Sequence, residues 1–273
     1  MNNNTKTTAL RYAKQLMICL LAIGLFIPAA TLNVQAKKHK NEWVTTKNGR
    51  VNYYDKKGNK VNKKKRHIDG KQYSFDKNGN QRVGWIKYKD HISFYNIKPG
   101  KKGYLVTDKT VNGIELDERG YAVSNLDKAR LLAEANSIAF NITNFNMTQD
   151  EKNKACFMYV RDKTDWRNIG SFQSRNANWD IYYASYGIYK KYGDCYTGGA
   201  SFAYMATAVG SKNVYAESSG GHGWCTIDGY FYDPNWSWAT KSVDKYFKVS
   251  GSLSGKSGRP NWARHRTYKK RVD

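Results

Sequence analysis

The chain has 273 residues, with 46 Lys and Arg against 22 Asp and Glu, a formal net charge of +24. That length suits one medium domain plus something smaller, and so basic a balance implies an anionic neighbour. Four cysteines are too few for a disulfide scaffold.

The N-terminus reads as an export signal. Lys6, Arg11 and Lys14 form a positive region with no acidic residue before Glu42, and Leu16 to Ala30 ("LMICLLAIGLFIPAA") is a 15-residue apolar run. Val34-Gln35-Ala36 offers small residues at the spacing a signal peptidase needs, so residues 1–36 are expected to be removed. An uncleaved anchor is the other reading. The run is shorter than the ~20 residues of a spanning helix and no second run follows, so no stable transmembrane anchor is expected. Cleavage takes Cys19 away and leaves Cys156, Cys195 and Cys225, an odd count that permits one bridge and one free thiol. Export makes wall polymers or a membrane surface the expected anionic neighbour, and nucleic acid is not an expected partner.

Residues 41–123 repeat. "YYDKKGN" at Tyr53–Asn59 returns as "SFDKNGN" at Ser74–Asn80, a shift of 21, and Trp43 and Trp85 lie 42 apart. "LDERGY" at Leu116–Tyr121 carries Asp-x-x-Gly once more. Each unit predicts an aromatic-rich strand, an Asp-x-x-Gly turn and a second strand. Hairpins of this size cannot each bury a core alone, so they must stack. This small all-β module resembles the cell-wall-binding repeats of Gram-positive surface proteins, the group that includes choline-binding and glucan-binding modules. It departs from that pattern where Lys64 stands in place of a Trp and where Gly-Trp occurs only at Gly84-Trp85. A choline cage needs several aromatic faces around one ammonium. Segment 37–125 holds 22 Lys and Arg against 9 Asp and Glu, so an anionic wall polymer or glycan is the expected ligand. A mere spacer is the alternative.

A second domain is expected over 124–247. "LDKARLLAEANSIAF" has helical apolar spacing at Leu126, Ala129, Leu132 and Ala133. "TQDEKNKACFMYVRD" opens with Thr148 and Glu151 in capping-box register, then puts Ala155, Met158 and Val160 near one face. Residues 248–273, Ser/Gly-rich and then basic, predict a mobile tail.

Within that domain, "KYGDCYTGGASFAYMATAVG" places Asp194 as N-cap of a helix ending near Gly210, with Cys195 in its first turn. Orphan N–H groups and the helix dipole favour a thiolate there. Gly198 and Gly199 break the helix rule at roughly 1 kcal/mol each, which makes sense if a strand or a substrate approaches closely. A buried, inert Cys at a helix start is the competing reading. Downstream, Asp228-Gly229 in "GGHGWCTIDGYFYDPNW" is a two-residue hairpin turn. It pairs Ile227 with Tyr230, Cys225 with Tyr232 and Trp224 with Asp233. His222, Trp224, Asp233 and Asn235 then share one face and Cys225 faces away. Cys195, His222 and Asp233 are therefore the candidate nucleophile, base and orienting carboxylate. The expected orientation is Nδ1–H toward Asp233 and Nε2 toward Cys195.

Gly193-Asp194-Cys195, the Ala/Phe/Ala helix, His222-x-Trp224 and Tyr232-Asp233-Pro234 resemble the core of the transglutaminase-like superfamily. The resemblance covers about 45 continuous residues. It implies an α+β papain-like core in which a helix bearing Cys195 packs on an antiparallel sheet bearing His222 and Asp233. It also implies a cysteine acyltransferase or cysteine peptidase that acts on a protein or peptide through a thioester. The Cys195 backbone N–H is a natural oxyanion donor, with Trp179 and Tyr183 as side-chain candidates. No metal site and no cofactor motif is expected. The expectation is thus an exported, wall-associated thiol enzyme of a Gram-positive bacterium. Its rival is a non-catalytic wall adhesin that keeps the fold.

Overall fold

The computed structural model describes residues 39–62 and 65–273. The expected export signal at 1–36, its cleavage after Ala36, and Lys64 lie outside the described residues. The architecture is mixed α and β, with small antiparallel hairpins leading into helices and a four-stranded sheet.

The first hairpins are β1 (Glu42–Thr45) with β2 (Val51–Tyr54), and β3 (Arg66–Ile68) with β4 (Lys71–Phe75) and the short β5 (Gln81–Arg82). Next come β6 (Gly84–Lys87) with β7 (Ile92–Tyr95), and β8 (Lys109–Val111) with β9 (Ile114–Leu116). The Asp-x-x-Gly turns recur with one geometry. The Oδ1 atoms of Asp55, Asp76 and Asp117 each accept backbone N–H groups two and four residues on, at 2.7–3.0 Å. The expected strand–turn–strand arrangement forms at them, β4 pairing with β5 across Asp76–Gly79, but further turns go beyond the expectation. The tight hairpin turns are Asp69-Gly70 and Asn112-Gly113, where all four residues have positive φ as a type I′ turn requires. The Asp-x-x-Gly turns fold the chain back a second time, setting Phe75 against Gln81 and Leu116 against Ala122.

Tyr53, Val61, Ile68, Tyr73 and Phe75 bury a small core with Trp43 against it. The later hairpins do not close on themselves. Trp85, Ile92, Ile114 and Leu116 join one core with Ala129 and Leu132 of α1 (Leu126–Ile142). Asn136 of that helix donates from Nδ2 to both Val83 O, between β5 and β6, and Trp85 O in β6 at 2.8 Å, satisfying two backbone carbonyls. Residues 39–273 consequently form one compact unit. Leu126, expected on the apolar face, is instead exposed.

Helix α2 (Gln149–Lys163) begins with the expected capping box between Thr148 and Glu151. Its buried face is Asn153, Cys156, Phe157 and Val160; Val160 is buried as expected, while Cys156 and Phe157 take the places expected for Ala155 and Met158. The two-residue β10 (Asp165–Trp166) pairs in parallel with β11 (Tyr192–Gly193), and α3 (Trp179–Ser185) lies between them in sequence. Helix α4 (Cys195–Ala208) is buried from Tyr196 to Ala208 and packs on α1, α2, α3 and the sheet. The sheet holds β12 (Val214–Ser218), β13 (Gly223–Ile227), β14 (Tyr230–Tyr232) and β15 (Tyr268–Arg271) in the order β14-β13-β12-β15.

Strand β15 comes from the segment expected to be a mobile tail. It runs antiparallel to β12, pairing Tyr215 with Arg271 and Ser218 with Tyr268. Buried Glu217 anchors it, accepting from Arg266 Nε at 2.6 Å while Lys269 Nζ lies at 3.5 Å. A charged strand can sit at this edge because a buried carboxylate meets its cations. No helix among the described residues is long and apolar enough to cross a membrane.

Candidate functional site

Asp194 caps α4, accepting from the N–H groups of Tyr196 and Thr197 at 3.1 and 3.3 Å. Cys195 is thereby the first residue of the helix and stays half-buried. The neighbouring glycines answer to close packing. A Cβ on Gly199 would sit 2.6 Å from the Trp224 carbonyl, and one on Gly198 would sit 2.7 Å from the Trp166 ring. Gly223 has the reciprocal constraint, since its Cβ would lie 2.6 Å from Tyr196 Cα. The first turn of α4 and the start of β13 thus interlock backbone to backbone, and His222, one residue before that strand, is drawn to the thiol. The loop ahead of it is tied at both ends. Tyr196 Oη donates to Gly220 O at 2.7 Å, and His222 N–H donates to Ser219 Oγ at 3.0 Å.

The Asp228-Gly229 turn forms as expected, with Ile227 opposite Tyr230 and Cys225 opposite Tyr232. The ladder stops at Tyr232, so Trp224 has no strand partner in Asp233. Asp233 instead caps α5 (Pro234–Ala239), with Oδ1 accepting from Trp236 N–H at 3.0 Å. Its other oxygen, Oδ2, accepts from His222 Nε2 at 2.6 Å and from Trp262 Nε1 at 3.0 Å. The carboxylate is fully buried and the imidazole 18 % exposed. The expected ring orientation is therefore reversed. Nε2 faces Asp233, which leaves Nδ1 as the ring nitrogen available to the Cys195 thiol. The cause is the capping role: a carboxylate at the start of α5 meets the far edge of the ring rather than the edge nearest its own backbone.

Burial alone would disfavour the charged imidazole. The Asp233 carboxylate, followed by the Cys195 thiol, outweighs that and holds His222 up at about 10. The other two thiols differ. Cys156 and Cys225 are fully buried and unbridged, so no disulfide forms among the described cysteines. Burial pushes Cys156 up to about 12 and Cys225 far above the ordinary thiol range. Cys225 lies in the main core while Trp224 packs with Phe231, Tyr246, Val249 and Trp262, so the two project to opposite faces as expected.

A cleft of about 400 Å³ opens at the thiol, walled by Trp166, Trp238, Arg167 and Asn235. Asn235 was expected on this side. Trp179 and Tyr183 do not reach the cleft; both are buried, and the Tyr183 hydroxyl is used by the loop at Ser171 and Gln173. Among the described residues no group of three or more His, Cys, Asp or Glu is placed to hold a metal ion. Sequence reasoning missed Trp262, the indole that shares Asp233 with His222. Its signal was a lone Trp inside a polar, basic segment, since a buried indole N–H needs a partner and anchors what carries it. Chemically, a thiol beside an imidazole held by a buried carboxylate can attack an acyl carbon and pass a proton to the departing group.

No family model matches the chain, and no curated protein matches it. Similar solved structures are choline-binding proteins and endolysin modules. Choline binding protein F from Streptococcus pneumoniae is 20% identical over 31% of this chain and 26% of its own, with a TM-score of 0.27. The choline binding domain of another Streptococcus pneumoniae protein is 19% identical over 32% of this chain and 99% of its own, with a TM-score of 0.27. A multimodular pneumococcal cell-wall endolysin from phage Cp-1, complexed with choline, is 21% identical over 32% and 25%, with a TM-score of 0.22. The match spans about a quarter of the choline binding protein F chain. Likenesses with such TM-scores carry no argument about activity.

Proposed function

We propose that this chain is an exported, wall-associated thiol enzyme acting on amide bonds, with a papain-like, transglutaminase-like core. The observation that supports it is the His222–Asp233 contact of 2.6 Å beside a thiol at the start of a buried helix. Cys195 attacks the amide carbonyl carbon as a thiolate while His222 carries the proton on Nδ1. The tetrahedral adduct expels the amine as C–N breaks, and Nδ1–H supplies the proton that the amine takes. A thioester on Cys195 remains. Water or a second amine then attacks it, His222 accepts the proton of that nucleophile, and the thiolate leaves. Asp233 holds the ring by Nε2–H throughout and stabilises its charge. In the same proposal the basic repeats hold the protein on an anionic wall polymer.

The test is alkylation of the folded chain by iodoacetamide with mass mapping of the product. Cys195 should be modified first, because the other two described thiols are fully buried. Preferential labelling of Cys156 or Cys225 would refute the assignment. The second reading is wall binding without chemistry. It predicts full retention on purified walls and no amide product from wall peptides, with Cys195→Ala indistinguishable from the parent in both.

A further inference from the structure

The cleft at Cys195 has one side chain aimed at charge recognition. Arg167 follows Trp166, whose strand β10 pairs in parallel with β11, and its backbone N–H donates to Gly193 O at 2.8 Å. That bond fixes the Arg167 backbone beside Gly193, two residues before the thiol. The guanidinium lies over the Tyr192 ring at 3.8 Å, which holds it in place without using its N–H donors. Its acidic neighbour, Asp165, approaches Arg167 Nε only to 3.6 Å and is 70% exposed, so the pair is weak and does not occupy the guanidinium's terminal nitrogens. The cleft's other charged wall residue, Asp194, is turned away. Its carboxylate accepts the N–H groups of Tyr196 and Thr197 and serves the helix rather than the cleft.

Two indoles complete the wall. Trp166 and Trp238 approach with ring centroids 5.9 Å apart, and Trp238 is 46% exposed. Trp236, close to His222, is 39% exposed. Exposed indoles that the core does not need are contact surface for something that docks. Cation, flat apolar walls and thiol thus meet in one cleft.

Resting on the thiol-enzyme reading above, we propose that Arg167 selects acyl donors bearing a carboxylate next to the scissile amide, so that the substrate is an acidic peptide. The guanidinium pairs with that carboxylate in a two-pronged contact, and Trp166 and Trp238 flank the adjoining peptide. Arg167 acts on binding, and the bond changes at Cys195 are those already described.

The experiment compares alkylation of Cys195 in the full chain by iodoacetate and by iodoacetamide, at low salt and one pH. Both reagents lose iodide to the same thiolate and differ in carrying a carboxylate or an amide. In Arg167→Gln the ratio of the iodoacetate rate to the iodoacetamide rate should fall roughly three- to tenfold, the effect of one charge a few ångströms away in a partly hydrated cleft. The iodoacetamide rate itself should stay within about twofold, and Arg167→Lys should keep most of the ratio, since it keeps the charge. In the parent the ratio should also fall as salt rises from low to about 0.5 M, by screening. A ratio unmoved in Arg167→Gln, or unmoved by salt in the parent, overturns the role of Arg167 while leaving the thiol reading intact. Failure of both reagents to modify Cys195 overturns the thiol reading, and this inference with it.

Discussion

Replacing Asp233 with Asn changes one oxygen to an amino group, and the structure sets the consequences. The buried carboxylate accepts three hydrogen bonds, from Trp236 N–H on Oδ1 and from His222 Nε2 and Trp262 Nε1 on Oδ2. An amide has one acceptor oxygen and one donor group. If its oxygen keeps Trp236, its NH₂ confronts the Trp262 N–H and forces His222 to accept through Nε2, so the proton sits on Nδ1 and no base faces Cys195. If the oxygen turns to His222 and Trp262, the NH₂ confronts Trp236 N–H and the cap of α5 is lost. Each arrangement leaves a buried donor facing a donor, costing about 1–3 kcal/mol, with about 1 kcal/mol more where the cap goes.

The effect on chemistry is larger. His222 is held up at about 10 from 6.5, mainly by Asp233 against the pull of burial, a preference for the imidazolium of at most about 5 kcal/mol. Losing most of it should cut the iodoacetamide rate of Cys195 at pH 6 by roughly 10²- to 10³-fold. The variant should also melt about 5–10 °C lower. Asp228→Asn is the control. At φ +50 in the hairpin turn, Asn serves as well as Asp, and its side-chain oxygen can still accept from Asn213 Nδ2. An alkylation rate in Asp233→Asn within about twofold of the parent, or an equal loss in Asp228→Asn, would refute the reasoning.

Other outcomes follow from the same contacts. Trp262→Phe keeps most of the ring that stacks on Phe231 but removes the N–H on Asp233, so stability should fall by about 1.5–3 kcal/mol in a denaturant melt, and an unchanged midpoint would dismiss the bond. Gly199→Ala, though a better helix former, should melt below both the parent and Gly198→Ala, because its Cβ meets strand backbone where that of Gly198 meets a ring. The His222–Asp233 pair raises the imidazole, so its stabilisation should be complete below pH 6.5 and lost as pH rises through about 10; urea midpoints should show that alkaline loss in the parent and not in Asp233→Asn. Retention of the full chain on purified walls should weaken with salt, and retention indifferent to salt would replace charge with aromatic recognition.

Much of the site was legible because its determinants are local. Asp194 as cap, Cys195 in the first turn, the Thr148–Glu151 capping box and the Asp228-Gly229 turn each follow from residues within a few positions of one another. The twofold alternation carried from that turn put His222 and Asp233 on one side of the hairpin. What local rules could not supply was the capping role of Asp233 in α5, because Pro234 both ends the strand and opens a helix. That ambiguity decides which nitrogen of His222 meets the carboxylate. The same limit hid the hairpin turns at Asp69-Gly70 and Asn112-Gly113, where the repeated Asp-x-x-Gly drew attention to the second fold-back.

The C-terminal segment departs from its expected mobile tail for a different reason. Its composition, rich in Ser, Gly and basic residues, cannot build a core alone, and tail is the sensible reading of such a segment by itself. Its order comes from partners far away in sequence. Glu217, buried on β12, needs cations, and Arg266 and Lys269 supply them. Asp233, buried under the hairpin, needs a further donor beyond His222 and the Trp236 N–H, and Trp262 supplies it. Two buried carboxylates thus recruit the segment, one through charge and one through an indole. A charge left buried without its partner costs far more than a surface pair gains. Glu217→Gln should therefore loosen β15 and, through Trp262, the carboxylate that holds His222. In that variant, amide exchange should accelerate along 268–271 and iodoacetamide labelling of Cys195 should slow at pH 6. Faster exchange with an unchanged labelling rate would separate the edge strand from the site, and would confine Trp262 to packing.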